Sequence, residues 1–248
     1  MQSSAYYKEY SPSLGREMEF EVYGHGGKPC IVFPCQNGRF FDFNNFKMTD
    51  VASPWIGAGQ LQLFCVDSVD AQTWSDVGGD PRHRSEMLER WYHYIADELV
   101  PRIRQINATP EREKLMVTGC SMGATHAGIF ALRRPDLFDV AICMSGLYHA
   151  GYFFGDYMDQ GVYDNSPVDF IANMPPDHPY IQMYNNNRMV FCTGQGAWED
   201  EMVESTRRLE AVFRQKGIHA WVDFWGYDVN HDWPWWLKQF PYFLEKLL

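Results

Sequence analysis

The stretch of sequence that decides the fold reads KLMVTGCSMGATHAGIFALR and spans residues 114–133. Residues 114–118 are strand-like, and residues 124–133 are a helix-like run that Pro135 stops. Between them, residues 119–123 form a G-x-S-x-G pattern with Ser121 at a sharp turn from strand to helix. Glycines on both sides leave room for such a turn, which presents the serine hydroxyl at the sheet edge. The pattern predicts a nucleophilic serine, and the elbow directs the backbone amide of Met122 towards an oxyanion.

Apolar runs predict strands throughout the chain, at about residues 18–23, 29–34, 61–66, 114–119, 138–144, 188–193 and 219–225. Helical periodicity appears at about residues 84–106, 122–133, 201–216 and 234–247. This alternation predicts an α/β fold, with a mostly parallel, doubly wound sheet and helices on both faces. The first strand alternates polar and apolar residues, which is typical of an antiparallel edge strand.

The length of 248 residues fits one domain, 1–248, because no Pro/Gly/Ser-rich linker divides it. The net charge is −11, from 21 Lys and Arg against 32 Asp and Glu, and basic clusters are absent. Binding to a phosphate backbone needs such clusters, so we expect no nucleic-acid partner. No stretch has the length needed to span a bilayer, so no membrane span is expected.

The cysteines and the N-terminus predict a cytoplasmic protein. The six cysteines match neither a zinc site nor a disulfide framework, and are interpreted as reduced, small apolar residues. Residues 1–10 lack the basic start and apolar run of a signal peptide. The motifs of metal-dependent and nucleotide-dependent enzymes are also absent, so we expect no cofactor and no metal.

One segment interrupts the alternation of strands and helices. Residues 147–187 lack clear periodicity and are rich in Tyr, Asp, Asn and Pro. The segment follows a central strand, at the carboxyl edge where open α/β sheets bind ligands. It is predicted to be a lid over Ser121, with Tyr148, Tyr152 and Phe153 as candidates for the pocket wall; the alternative is an insertion without a functional role.

A serine nucleophile needs a positioned base, and the chain has eight histidines. His231 alone lies just beyond the carboxyl end of the last predicted strand, at the same sheet edge as Ser121. We therefore predict His231 as the general base. His126, one turn into the helix after Ser121, is interpreted as a packing residue or an indirect hydrogen-bond partner.

The carboxylate that orients the histidine is expected between Ser121 and His231 in chain order. The acidic residues Glu199, Asp200 and Glu201 follow the strand at 188–193, just before a helix. Acidic residues also suit a helix N-terminus, so one is predicted to be catalytic and the others to cap the helix. Position alone does not separate Glu199 from Asp200.

The chain resembles the putative-esterase branch of the α/β-hydrolase fold, which includes S-formylglutathione hydrolase (esterase D), feruloyl esterase domains and mycolyl transferases. The matching segments are GCSMGA at 119–124, RPDLF at 134–138, Ser145-Gly146 and NHDWPWW at 230–236. The resemblance runs from about residue 17 to the C-terminus. It implies the acid about three residues after a glycine, which from Gly196 favours Glu199. It also implies a second oxyanion amide at about Gln36, although the HGGG-type motif of lipases is absent.

These features together predict a serine carboxylic-ester hydrolase. Its catalytic residues would be Ser121, His231 and Glu199, and its substrate a small or medium ester processed through an acyl-enzyme. An acyltransferase would use the same acyl-enzyme and deliver it to another alcohol. A noncatalytic ligand-binding protein of the same fold is the second alternative, although such proteins typically lose the serine or histidine. The sequence leaves the natural ester and a homo-oligomeric state open.

Overall fold

The computed structural model describes residues 4–108, 110 and 113–248. Residues 1–3 lie outside the described residues. They begin the segment 1–10, in which no signal peptide was predicted. The strands are β1 Ser4–Ser11, β2 Arg16–Tyr23, β3 Lys28–Phe33, β4 Leu61–Val66, β5 Leu115–Cys120, β6 Phe138–Met144, β7 Arg188–Thr193 and β8 Trp221–Phe224. They form one sheet in the order β1-β2-β4-β3-β5-β6-β7-β8.

The neighbouring strands β4, β3, β5, β6, β7 and β8 are parallel to one another. The pairs β1–β2 and β2–β4 are antiparallel. The mostly parallel α/β fold predicted from the sequence is therefore confirmed. The prediction that the strand at 18–23 is the edge strand was wrong, because β1 pairs along the whole length of β2 and takes the edge. The residues of β1 are mostly exposed, so hydrophobic patterning gives little signal for it.

The helices lie mostly between the strands in sequence. They are α1 Asp42–Asn45, α2 Met48–Val51, α3 Ser53–Gly57, α4 Pro81–His93, α5 Val100–Asn107, α6 Met122–Arg133, α7 Gly151–Phe154, α8 Gln160–Asp164, α9 Pro167–Ala172, α10 Pro179–Asn186, α11 Asp200–Lys216 and α12 Trp233–Leu247. A π-helical turn at Tyr94–Leu99 joins α4 to α5, so the helix predicted at 84–106 is continuous but changes its winding. Within the described residues, no helix has the length and apolar character needed to cross a membrane.

Two apolar clusters fill the two faces of the sheet. The larger combines inward residues of the strands with residues of α4, α5, α6 and α11, among them Trp91, Ile103, Phe130 and Leu209. The other packs residues of α2, α3 and α12 on the opposite face. The central strands β4 and β5 are buried along their whole length, which explains why their residues are mostly apolar.

The carboxyl ends of the parallel strands place the candidate residues at one edge of the sheet. Ser121 directly follows β5, and Ser145 directly follows β6. Glu199 lies in the loop after β7, and His231 lies in the loop after β8. The insertion between β6 and β7 contains the short helices α7 to α10. Loops at this edge are where open parallel sheets place ligand sites.

Candidate active site

Ser121 occupies a strained turn between β5 and α6. Its φ and ψ of 56° and −123° lie in a region that non-glycine residues rarely adopt. The flanking glycines are required by close packing, because a Cβ on Gly119 would lie 2.3 Å from the carbonyl carbon of Gly123. A Cβ on Gly123 would lie 2.3 Å from the Phe33 carbonyl oxygen of β3. The turn thus holds the Ser121 side chain, only partly buried, above the sheet edge.

His231 lies directly beside this serine. Its Nε2 atom is 2.9 Å from Ser121 Oγ, and its ring packs edge-on against Trp236. The loop that carries His231 is joined to the loop after β7, because the His231 amide donates to the Ala197 carbonyl at 3.0 Å. The Asn230 side chain also accepts a hydrogen bond from the Ala197 amide at 2.8 Å. These bonds hold the loops after β7 and β8 in one arrangement.

Glu199 lies on the other side of the imidazole. Its Oε2 atom is 3.3 Å from His231 Nδ1, and the side chain is 1% exposed. Asp200, by contrast, is exposed in the first turn of α11. The loops therefore bring Ser121, His231 and Glu199 together, and leave Asp200 in solvent.

Two hydroxyl groups satisfy the buried Glu199 carboxylate. Ser145 Oγ donates to Glu199 Oε1 at 2.6 Å, and Thr193 Oγ1 donates to Glu199 Oε2 at 3.0 Å. Ser145 accepts in turn from the Trp236 indole nitrogen at 3.2 Å. A buried polar group is costly unless it is hydrogen-bonded, so these donors satisfy the carboxylate oxygens and hold their orientation.

Ser145 was not predicted as a site residue from the sequence, although one signal exists. Ser145 stands at the carboxyl end of β6 within the Ser-Gly pair. Its φ of 62° is again left-handed for a non-glycine residue.

Gln36 lies in the loop after β3 and lines the same cavity as Ser121 and Met122. Its side chain donates to Ser75 Oγ at 2.9 Å. The next residue, Asn37, is left-handed with a φ of 56°, and its amide lies 3.4 Å from Asp70 Oδ2. Asp70 is buried and pairs with His126 Nε2 at 2.9 Å. His126 thus connects α6 to the loop after β4, which agrees with the packing or indirect role predicted for it.

A cavity of about 200 Å³ opens beside the serine hydroxyl. Besides Ser121 and His231, its wall contains four apolar side chains, Met122, Leu147, Phe153 and Met202, and four polar ones, Gln36, Thr125, Ser145 and Glu201. This volume is below the range of about 300–1,000 Å³ that is usual for drug-sized ligands. The cavity therefore suits a small group next to the serine.

The aromatic residues predicted for the pocket wall occupy different positions. Phe153 of α7 lines the cavity. Tyr148 is 1% exposed and packs edge-on against Phe191 in the larger apolar cluster, so it belongs to the core. Tyr152 is half-buried beside His149, outside the cavity wall.

Cys120, which directly precedes Ser121, is unsuited to act as a nucleophile. The six cysteines are free thiols. Burial raises the pKa of the Cys120 thiol well above its usual value, and raises that of Cys35 to about 12. Both thiols therefore stay protonated and unreactive at neutral pH. Among the described residues, no group of His, Cys, Asp and Glu side chains is arranged to hold a metal ion.

Solved structures with the same fold include several esterases. A ferulic acid esterase superposes with a TM-score of 0.74 at 14% identity, covering 100% of this chain and 97% of that chain. An S-formylglutathione hydrolase from Staphylococcus aureus gives 0.71 at 14% identity, covering 99% and 97%. MPT51 from Mycobacterium tuberculosis gives 0.72 at 16% identity, covering 100% and 98%. At such identities the likeness establishes the fold alone.

No curated protein sequence matches the chain. The sequence does match a family model, over residues 11–247, which is nearly the whole chain. The resemblance noted from the GCSMGA and NHDWPWW segments is thereby confirmed. The chain belongs to the esterase family described as "Putative esterase".

Proposed function

We propose that this enzyme is a serine carboxylic-ester hydrolase that works through Ser121, His231 and Glu199. The observation that carries the proposal is the connected series of side chains beside a cavity. The serine hydroxyl is 2.9 Å from the imidazole, and the imidazole is 3.3 Å from a buried carboxylate. A nucleophile, a base and an orienting acid in this order are the parts that acyl transfer requires.

In the proposed reaction, His231 Nε2 accepts the Ser121 hydroxyl proton as Oγ attacks the ester carbonyl carbon. The tetrahedral intermediate collapses to an acyl-enzyme, and the alcohol leaves with the proton that His231 returns. Water then attacks the acyl-enzyme, with the same histidine as base, and releases the acid. Glu199 accepts the Nδ1 hydrogen, which holds the productive tautomer and stabilises the imidazolium.

The oxyanion of the intermediate would be stabilised by backbone amides of Met122 and Gln36. The Met122 amide begins α6, so the helix N-terminus adds favourable potential for negative charge. Gln36 lines the same cavity as Met122. The hydrogen bonds of Gln36 with Ser75 and of Asn37 with Asp70 support a fixed conformation of that loop.

The proposed function is tested by measuring whether the acyl group is transferred to water or to an added alcohol. Purified protein is expected to hydrolyse para-nitrophenyl acetate, because the cavity of about 200 Å³ accepts a small acyl group. Added alcohol acceptors are expected to divert little of the product from acetate, as quantified by chromatography. Product that is mostly the new ester would identify an acyltransferase instead. If no ester is turned over, the result would favour the alternative of a noncatalytic ligand-binding protein.

We also propose that residues 147–187 form a lid within a single domain, 1–248. Leu147 and Phe153 of this segment line the cavity beside Ser121, which supports the lid. The single sheet and its two apolar clusters support one domain. The free cysteines support a reducing location such as the cytoplasm.

Replacing Phe153 with alanine is expected to change the substrate profile more than the stability. The smaller side chain enlarges the cavity, so kcat/KM for a bulkier acyl group should rise relative to acetate by roughly tenfold. Phe153 is half-buried, and the loss in unfolding free energy should stay at roughly 1–2 kcal/mol. Kinetics over a series of acyl lengths and denaturant unfolding measure both effects.

Phe170 of α9 provides a matched control. It is also a half-buried aromatic residue of the insertion, but it packs against the larger apolar cluster and lies outside this cavity wall. Phe170→Ala should lower stability and leave the acyl preference unchanged. The lid proposal is wrong if Phe153→Ala unfolds the protein or keeps the wild-type profile.

A further inference from the structure

One carboxylate in the cavity wall has no part in the proposed mechanism. Glu201 lies in the first turn of α11, and it lines the cavity into which Ser121 and His231 project. Glu201 is exposed to solvent. Within the described part of the chain, Glu201 forms neither an ion pair nor a hydrogen bond through its carboxylate. It is therefore free to interact with a bound molecule.

The surroundings of Glu201 leave its carboxylate available to a cationic ligand. Among the residues that the structure describes, the cavity wall contains no lysine or arginine, and Arg208, further along α11, is engaged with Glu204. The apolar side chains of Leu147, Phe153 and Met202 form much of the wall. A charge acts more strongly in such a concave, partly apolar site than on an open surface.

We propose that Glu201 makes the enzyme prefer esters that carry an ammonium group a few bonds from the ester carbonyl. A carboxylate in the same position is disfavoured, because two negative charges would share the small cavity. The net charge of −11 acts in the same direction by attracting cations to the protein. This inference rests on the proposed function, and it names the substrate class of that site. The ammonium group can belong to either the acyl or the alcohol half of the ester.

Two series of esters test the preference and separate the two halves. The first varies the leaving group: acetylthiocholine, its neutral tert-butyl isostere, and an analogue with a terminal carboxylate. The second varies the acyl group: para-nitrophenyl butanoates that end in trimethylammonium, tert-butyl or carboxylate. In at least one series, kcat/KM should rank ammonium above neutral above carboxylate, with roughly three- to tenfold steps at low salt. The steps should shrink as ionic strength rises.

The variants compare the ratio of kcat/KM for the ammonium ester to that for its neutral isostere. Glu201→Gln should bring this ratio towards one, and Glu201→Lys should invert the preference. Asp200→Asn is the matched control, since Asp200 is exposed in the same helical turn but outside the cavity wall. It removes the same charge from the protein and should keep the wild-type ratio.

Different results would overturn ester hydrolysis through Ser121 and the role of Glu201. If the Ser121→Ala protein still hydrolyses the esters, or if the wild-type protein hydrolyses none of them, the proposed function is overturned and this inference with it. Hydrolysis that depends on Ser121 but shows the same ratio in wild type and Glu201→Gln overturns only the role of Glu201. An equal effect of Asp200→Asn would assign the preference to overall charge and would likewise overturn it.

Discussion

Replacing Ser121 with alanine is expected to lower kcat/KM for para-nitrophenyl acetate by about 10⁴-fold or more, as in triads that lose their nucleophile. The hydroxyl that lies 2.9 Å from His231 is the attacking atom in the proposed reaction, and alanine leaves none. The remaining rate would come from the oxyanion site and from substrate binding alone. Steady-state kinetics measure the loss.

A fluorophosphonate gives an independent measurement at the same residue. Wild-type protein should take up one equivalent at Ser121, located by peptide mass spectrometry, and the Ser121→Ala protein should take up none. Ser145 is the internal control, because it lines the same cavity but its hydroxyl is engaged with Glu199. Label on Ser145, or undiminished turnover in Ser121→Ala, would reject the proposed nucleophile. The variant should fold normally, since alanine is smaller and Ser121 is only partly buried.

Replacing Glu199 with glutamine is expected to lower kcat by roughly ten- to a hundredfold or more, with a smaller change in KM. The amide is nearly the size of the carboxylate but carries no charge. It would no longer stabilise the imidazolium that forms as His231 takes the serine proton. The buried hydroxyls of Ser145 and Thr193 both donate to this group, so the amide nitrogen would also face a donor.

Asp200→Asn is the matched control for this change. Asp200 is adjacent in sequence and equally acidic, but it is exposed at the start of α11. Its replacement should change kcat less than about threefold, in line with other surface charges. Far-UV circular dichroism and denaturant unfolding of both variants separate catalysis from folding. A larger loss of kcat in Asp200→Asn than in Glu199→Gln would show that Asp200, and not Glu199, is the catalytic acid.

Much of the fold could be predicted because buried parallel strands and amphipathic helices leave clear periodicities. The helix predicted at 122–133 and the strands predicted at 61–66, 138–144 and 188–193 have the bounds of the corresponding elements. The edge strand β1 was missed, because an exposed strand need not alternate. The short helices α1 to α3 were also missed, since four or five residues are too few to establish a helical period.

The candidate site divides in a similar way. Ser121 and His231 could be chosen from sequence, because the G-x-S-x-G turn and the chain order restrict where these residues can lie. The choice between Glu199 and Asp200 needed the family resemblance. Ser145 and Thr193 were not predicted as site residues, since a hydroxyl at the end of a strand becomes a partner of Glu199 only through the packing of separate strands and loops.

The sequence by itself determined the α/β class, the serine turn and the edge of the sheet at which chemistry is expected, because these depend on local conformation and hydrophobic period. The tertiary structure alone decided which acidic residue is buried beside His231 and which side chains enclose the cavity. It placed Glu201 in that wall and Tyr148 in the core. Such arrangements depend on how loops far apart in the chain pack together, and no local pattern in the sequence records that packing.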